Sequence, residues 1–563
     1  MTTTEERAAH QESPEPTRFG RVRLAVRRAW PAVRRALPRI RDGLAGALVV
    51  FALILPDEWG QLTPASFVRI PVEGLVAAAL LLALRGRTRT RRAVAVTLGV
   101  LLGLLTIVKI ADIEFTYYLD RPFDVALDWW SLAPAASVLQ ASVGRAAEIG
   151  IIVGVIALVA AVLTVTVRSV LRLSSLAVRH EARTVRLVAA LAVAWITLAT
   201  LGVPAAGHGT ATMAYQHGLQ VGRMFGDQAD FTAQEGRDAF ALVPGNELLQ
   251  GLRGKDVLLT FVESYGRGAV EDPGLSPGVN AVLDQGTQAL KAAGFTARSG
   301  FLTSSTSGGG SWLAHASLMS GLWINDKRRY DSLVNGTRFT LPRAFDRAGW
   351  RTVSVEPAIS HAWPERLFYG YAKGYDRPSL SYHGPQFSYS PIPDQYTMES
   401  LHRAELQPGH QPLMAEITLT SSHTPFTPIP RLLDWNELGN GSVYAQGVNG
   451  IGPPGSAVLG NSHRSRDAYQ LSIQYSLSTL ISYIQHYGDN NLVMVFLGDH
   501  QPSPLVVGAH ASRDVPITIV AKDPAVLHRI ADWGWTEGLR PATDAPVWRM
   551  DTFRDRFLTA FAR

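Results

Sequence analysis

Leu492–Pro502 reads LVMVFLGDHQP: six apolar residues, a glycine, then Asp499 and His500 side by side. An apolar run of that length without alternation is a strand buried on both faces. The turn behind it carries two side chains capable of metal binding or proton transfer. The same arrangement recurs upstream. Asp256–Glu263 (DVLLTFVE) ends in a carboxylate, and Met414–Thr420 (MAEITLT) runs into Ser421-Ser422-His423. Arg351–Glu356 and Val515–Ala521 are two further runs of strand length, separated by helical or Gly/Pro-rich stretches. These five runs predict an α/β domain with a mainly parallel central sheet covered by helices on both faces. Ligands of such sheets bind beyond the carboxyl ends of the strands. Three ends here deliver Glu263, His423 and the Asp499–His500 pair. Taken singly, the Asp is a turn residue and His423 a surface histidine. Together they form a nitrogen and oxygen donor set suited to a divalent metal.

Between the first two strands lies Gly300–Gly321, GFLTSSTSGGGSWLAHASLMSG. The glycines at 308–310 lead into Ser311, which opens a helical pattern with Leu313, Leu318 and Leu322 among its apolar positions. Serine starts many helices for capping reasons alone. Its other role there is as a hydroxyl nucleophile at the positive end of a helix, where a phosphoryl or sulfuryl group is held.

Further out, the amino-terminal part has a different composition. The chain has 563 residues, 47% hydrophobic and only 18% charged, with a net charge of +6 and no cysteine. That excludes disulfides, thiolate metal sites and a cysteine nucleophile. Up to residue 210 there are 24 Lys and Arg against 15 Asp and Glu; the remainder has 29 against 32. The basic part is also the apolar part, with uncharged runs at 43–56, 74–84, 93–108, 149–167 and 187–207. Arginines cluster on alternate connections: 18–41, then 85–92, then 168–186. Acidic and aromatic residues (Asp57, Glu58, Trp59, Asp112, Glu114, Asp120, Asp124, Asp128, Trp129) fill the others. That phase follows the positive-inside rule. It predicts a bundle of about five transmembrane helices with the amino terminus inside, and it speaks against nucleic-acid binding. The expected organisation is a basic cytoplasmic segment (1–42), a transmembrane region (43–207), a linker (208–253) and an extracytoplasmic catalytic domain (254–563).

At this point the motifs carry a resemblance. The apolar strand ending in VES, the Ser/Thr-rich turn before ASLMSG, SHTPF and FLGDHQP together resemble the sulfatase-like branch of the alkaline phosphatase superfamily. With the five-crossing layout, the chain is similar to lipoteichoic acid synthases and related phosphoglycerol transferases. The resemblance implies that Glu263, Asp499 and His500 hold a divalent ion (Mn, Zn or Mg), with the nucleophile as fourth ligand. It also implies that His423 contacts the substrate phosphate or leaving group. Trp363 and Arg366, in AWPERLFYGY, resemble a substrate-binding element of the family with one extra residue of spacing. Registering Ala316–Gly321 on the sulfatase pattern puts the nucleophile at Ser311; the lipoteichoic acid synthase spacing puts it at Ser307. Sulfatase maturation needs Pro and Arg two and four residues after the nucleophile, where Leu313 and His315 stand here. An unmodified serine and phosphoryl transfer follow as the expectation. The donor would be an anionic phospholipid or other lipid-linked phosphodiester, and the acceptor a glycan or lipid. Hydrolysis by the same site, as a phosphodiesterase or sulfatase, and a non-catalytic membrane scaffold are the alternatives.

Overall fold

The computed structural model describes residues 37–131, 145–360, 362–445, 450–458 and 460–562. The arginines at 18–35, read above as part of a cytoplasmic cluster, lie outside the described residues. The chain divides into two compact units. The first comprises Met1–Pro56, Leu62–Lys109 and Val155–Ala214; the second comprises Asp57–Gln61, Ile110–Gly154 and Tyr215–Arg563.

The first unit is helical. Its elements are α1 (37–54), α2 (Val72–Ala83), most of α3 (Thr88–Leu119) and α4 (Arg145–Arg179), and α5 (Glu181–Thr200). Among the described residues, three helices are long and apolar enough to cross a membrane: α3, α4 and α5, of 32, 35 and 20 residues. That corrects the expectation of about five. With 12 residues, α2 reaches only about 18 Å, well short of about 30 Å of hydrocarbon. It starts late because Ile70–Pro71 is extended and pairs with Ala206–Gly207, which leaves Arg69 outside the helix. Helix α1 carries Arg39, Arg41 and Asp42 within its described length.

Close packing between α3 and α4 comes from Gly99 and Gly103. A Cβ on Gly99 would lie 2.6 Å from the Val167 Cα, and one on Gly103 would lie 2.7 Å from the Thr166 hydroxyl. Small residues four apart let membrane helices approach in this way. Buried Lys109 in α3 donates to the carbonyls of Ala52 (3.1 Å) and Leu53 (3.0 Å) and to the Thr210 hydroxyl (2.7 Å). A cation placed there satisfies carbonyls that the end of α1 leaves open.

The second unit is built on a nine-stranded sheet. In chain order its strands are β1 (Asp256–Val262), β2 (Thr296–Thr303), β3 (Arg351–Glu356), β4 (Lys373–Asp376), β5 (Leu413–Leu419), β6 (Leu492–Gly498), β7 (Asp514–Ala521), β8 (Thr536–Glu537) and β9 (Val547–Arg549). The order across the sheet is β8-β2-β7-β6-β1-β5-β3-β4, with β9 beside β2. Strands β6, β1, β5, β3 and β4 run parallel. The sheet is nevertheless mixed, because β7 runs antiparallel to both of its neighbours. Val515–Ala521 was expected as one of the parallel strands. Its apolar pattern marks burial on both faces but not direction. Direction follows from the 499–513 connection, which holds only the short helix Pro504–Val507 and returns along the sheet instead of crossing over it. Strand β2 escaped the sequence reading because its first half, TARSG, is polar.

Odd and even positions of β1 point to different cores. Val257, Leu259 and Phe261 join Leu313, Ala316, Phe345 and Phe557 on one face. Leu258 and Val262 join Val279, Leu283, Ile473 and Leu480 on the other. Period-2 alternation thus serves two apolar layers at once, and the strand ends on one side are left to carry chemistry. The stretch expected as a linker contains a helix, α6 (Gly209–Glu235).

Candidate metal centre

Strands β1 and β6 lie side by side, pairing Val262 with Gly498, so the residues that follow each strand emerge together. Glycine is needed at that pair: a Cβ on Gly498 would lie 1.8 Å from the Tyr265 carbonyl oxygen. Glu263, Asp499 and His500 are all buried, with one ligand atom from each within 4.8 Å of the others. Ser264, held at φ +58°, donates its N–H to Asp499 Oδ1 at 2.7 Å and its hydroxyl to Glu263 Oε1 at 2.7 Å. The His500 N–H also donates to Asp499 Oδ1, at 2.7 Å. The other oxygen, Asp499 Oδ2, is buried with no hydrogen-bond partner.

His500 Nδ1 lies 2.8 Å from the Gln501 carbonyl, which fixes the proton on that nitrogen. Its Nε2 lone pair then faces the carboxylates, 3.4 Å from Glu263 Oε1 and 3.7 Å from Asp499 Oδ2. A buried carboxylate oxygen without a partner, beside an imidazole nitrogen with its lone pair directed inward, fits a divalent cation. The Glu263/Asp499/His500 cluster is therefore a candidate site for a metal cofactor.

The third component of the site is a helix start. Gly308, Gly309 and Gly310 have φ of +71°, +156° and +77°, a path open to glycine and strained for other residues. It delivers Ser311 as the first residue of α7 (Ser311–Ser320). The Ser311 hydroxyl donates to Glu263 Oε2 at 3.0 Å and lies 3.3 Å from His500 Nε2. Ser307 is buried and, among the described residues, has no hydrogen bond to the cluster.

Burial opposes ionisation of Glu263, but the charges of His500 and His423 and the Ser264 and Ser311 hydroxyls outweigh it, and its carboxyl falls below the usual range. Burial and then the Glu263 charge push Asp499 up to about 6. Burial disfavours the charged form of His500, yet the carboxylates on either side raise it above an ordinary histidine.

His423 stacks on Tyr389, with ring centroids 4.0 Å apart. Its Nδ1 lies 2.7 Å from the Thr424 carbonyl, which leaves Nε2 as the exchangeable nitrogen. Trp363 sits among aromatics, 5.9 Å from Tyr369 and 6.3 Å from Tyr371 between ring centroids. Arg366 opens a short helix, Arg366–Tyr369. Among the described residues, neither Trp363 nor Arg366 forms a hydrogen bond or ion pair with Glu263, Asp499, His500 or Ser311. Ser264, Gln501 and Tyr389 belong to the site but were not singled out from the sequence: Ser264 acts through its N–H and hydroxyl, Gln501 through its carbonyl and Tyr389 by stacking on His423.

No family model matches the chain, and no curated protein matches it. Solved structures with detectable likeness include the lipoteichoic acid synthase LtaP from Listeria monocytogenes, 15% identical over 52% of this chain and 70% of that one, TM-score 0.33. Another is the soluble domain of lipooligosaccharide phosphoethanolamine transferase A from Neisseria meningitidis, 13% identical over 55% and 88%, TM-score 0.37. A third is the Streptococcus pyogenes phosphoglycerol transferase GacH in complex with sn-glycerol-1-phosphate, 13% identical over 56% and 87%, TM-score 0.33. The likeness is distant and broad.

Proposed function

We propose that the protein is a multi-pass membrane phosphotransferase whose extracytoplasmic domain moves a phospho-alcohol head group from a lipid-linked donor to a cell-envelope acceptor, through a phosphoserine at Ser311. The observation that carries this reading is the position of the Ser311 hydroxyl. It sits at a helix amino terminus, 3.0 Å from one carboxylate and 3.3 Å from an imidazole of a buried metal-type cluster.

Glu263, Asp499 and His500, with Ser311 Oγ, would hold the divalent ion, whose chemistry when bound is to lower the hydroxyl's pKa and to neutralise charge on the phosphoryl oxygens. Glu263 Oε2 accepts the hydroxyl proton as Ser311 Oγ attacks phosphorus. The bond from phosphorus to the lipid alcohol breaks, and that alcohol leaves with a proton from His423 Nε2. In the second half His423 Nε2 takes the proton of the acceptor hydroxyl, which attacks the phosphoserine; the bond from phosphorus to Ser311 Oγ breaks, and Ser311 recovers its proton from Glu263. The positive end of α7 stabilises the phosphoryl oxygens in both halves. Trp363 and Arg366 are assigned to the substrate side of this site from their motif alone.

Two variants test the reading. Ser311→Ala should lower head-group transfer from phosphatidylglycerol by at least about 10³-fold, on the scale seen when a nucleophile is removed, with an unchanged unfolding midpoint. Ser307→Ala should retain it. Full activity in Ser311→Ala would refute the assignment. Free head group as the main product would replace transferase by hydrolase.

A further inference from the structure

One helical turn beyond Ser311, on the same helix, His315 lies over the sheet with its ring stacked on Phe261, centroids 3.7 Å apart. Its Nδ1 is 3.0 Å from Oε1 of Glu416, a residue in the middle of β5. Register places Ser354 of β3 directly beside Glu416, and β3 ends in Glu356. Ligand atoms of His315, Glu356 and Glu416 all lie within 4.8 Å of one another. The Tyr371 hydroxyl donates to the second oxygen of Glu416.

Two carboxylates face a single base here. Among the described residues Glu356 has no ion pair, and the ion pair of Glu416 is with His315. Glu416 is buried and Glu356 half-buried, and confining two carboxylates beside one base is costly. Two buried polar atoms also point at nothing: the Ser354 hydroxyl, on a side chain with no exposure, and His315 Nε2. A layer of apolar side chains would fill this face, as Met414 does two residues earlier on β5. Instead, an imidazole, two carboxylates and an orphaned hydroxyl converge.

We infer that His315, Glu356 and Glu416 form a second divalent-cation site, distinct from the Glu263/Asp499/His500 cluster. Ligands bound at about 2.1 Å lie at most about 4.2 Å apart across an ion, so small side-chain rotations bring the set into coordination. One imidazole and two carboxylates select a first-row ion such as Mn²⁺ or Zn²⁺ over Mg²⁺, which prefers oxygen ligands alone. The ion would tie α7 to β3 and β5, and so fix the helix that presents Ser311. It is a positioning site, and it holds whatever reaction Ser311 performs.

Glu356→Gln keeps the size of the side chain and removes the carboxylate that would bind the ion. The full chain, purified in detergent, is stripped with chelator, dialysed against Mn²⁺ and assayed by atomic emission. Wild type should hold two equivalents, and Glu356→Gln and Glu263→Gln one each. The rise in unfolding midpoint from chelator to Mn²⁺ should be smaller in Glu356→Gln than in wild type. His315→Gln should lose the same equivalent as Glu356→Gln. A single equivalent in wild type, or two retained in Glu356→Gln, overturns the inference.

Discussion

Ser307 and Ser311 stand on one glycine-rich turn, and the residues alone leave both open as nucleophile. We assign the role to Ser311, because three positive-φ glycines carry the chain past Ser307 and set Ser311 on the first turn of α7, where its hydroxyl reaches Glu263. The charge balance around it predicts a pH dependence. Asp499 titrates near 6 because burial and Glu263 disfavour its anion. Its folded pKa is raised, so its contribution to stability without metal is fully present below the unfolded value near 4 and declines as the pH rises towards 6. Metal binding needs the anion. It also needs the neutral imidazole of His500, whose pKa lies above that of an ordinary histidine, so Mn²⁺ affinity, measured by titration calorimetry, should fall by at least about tenfold per pH unit as the pH drops from 7 to 5. A pH-independent affinity between 5 and 7 would show that Asp499 is not a ligand. Glu263, Asp499 and His500 were legible because each follows a short apolar run ended by a turn signal, the pattern of a buried strand. His315 and Glu416 were not, because a glutamate inside MAEITLT gives no sign of which face it takes.

At the scale of elements, the positions of the strands follow from composition and their directions do not. Each of the five runs became a strand, yet β7 turned back because the loop before it contains only one short helix. The helices of the first unit show the same limit. Charge phase suggested five crossings, whereas the length of α2 depends on Pro71 and on the extended pair Ile70–Pro71 with Ala206–Gly207, which hydropathy does not register. Contact between α3 and α4 rests on Gly99 and Gly103. Gly103→Leu would drive a side chain into Leu163 and Thr166, which already lie within 3 Å of a bare Cβ. The expected result is a loss of about 2 kcal/mol or more, read as a lowered unfolding midpoint in detergent. Gly150→Leu in α4, with nothing within 4 Å of its Cβ, should leave the midpoint in place.

For the whole molecule, the basic apolar part and the acidic part match the two kinds of architecture, a helical unit and an α/β unit. Positive-inside phase predicts that the connection after α2 is cytoplasmic and that the α/β unit lies outside. The absence of cysteine makes that testable, because any introduced thiol is the sole label site. Exposed Arg87 and Glu437 are suitable positions. In intact cells a membrane-impermeant maleimide should label Glu437→Cys and leave Arg87→Cys unlabelled until the membrane is opened; the reverse pattern inverts the topology. In the proposed function, a site outside the membrane and tethered to it would suit a donor whose acyl chains stay in the bilayer. The central claim is a covalent intermediate on that site, and it is tested most directly by mass spectrometry. The full chain, reconstituted with Mn²⁺ in phosphatidylglycerol liposomes without acceptor, is quenched and digested. The account predicts that the peptide spanning Ser299–Lys327 gains the mass of the phospho-alcohol, and that fragmentation places it on Ser311. A modification on Ser307, or continued turnover with Ser311 unmodified, would contradict it.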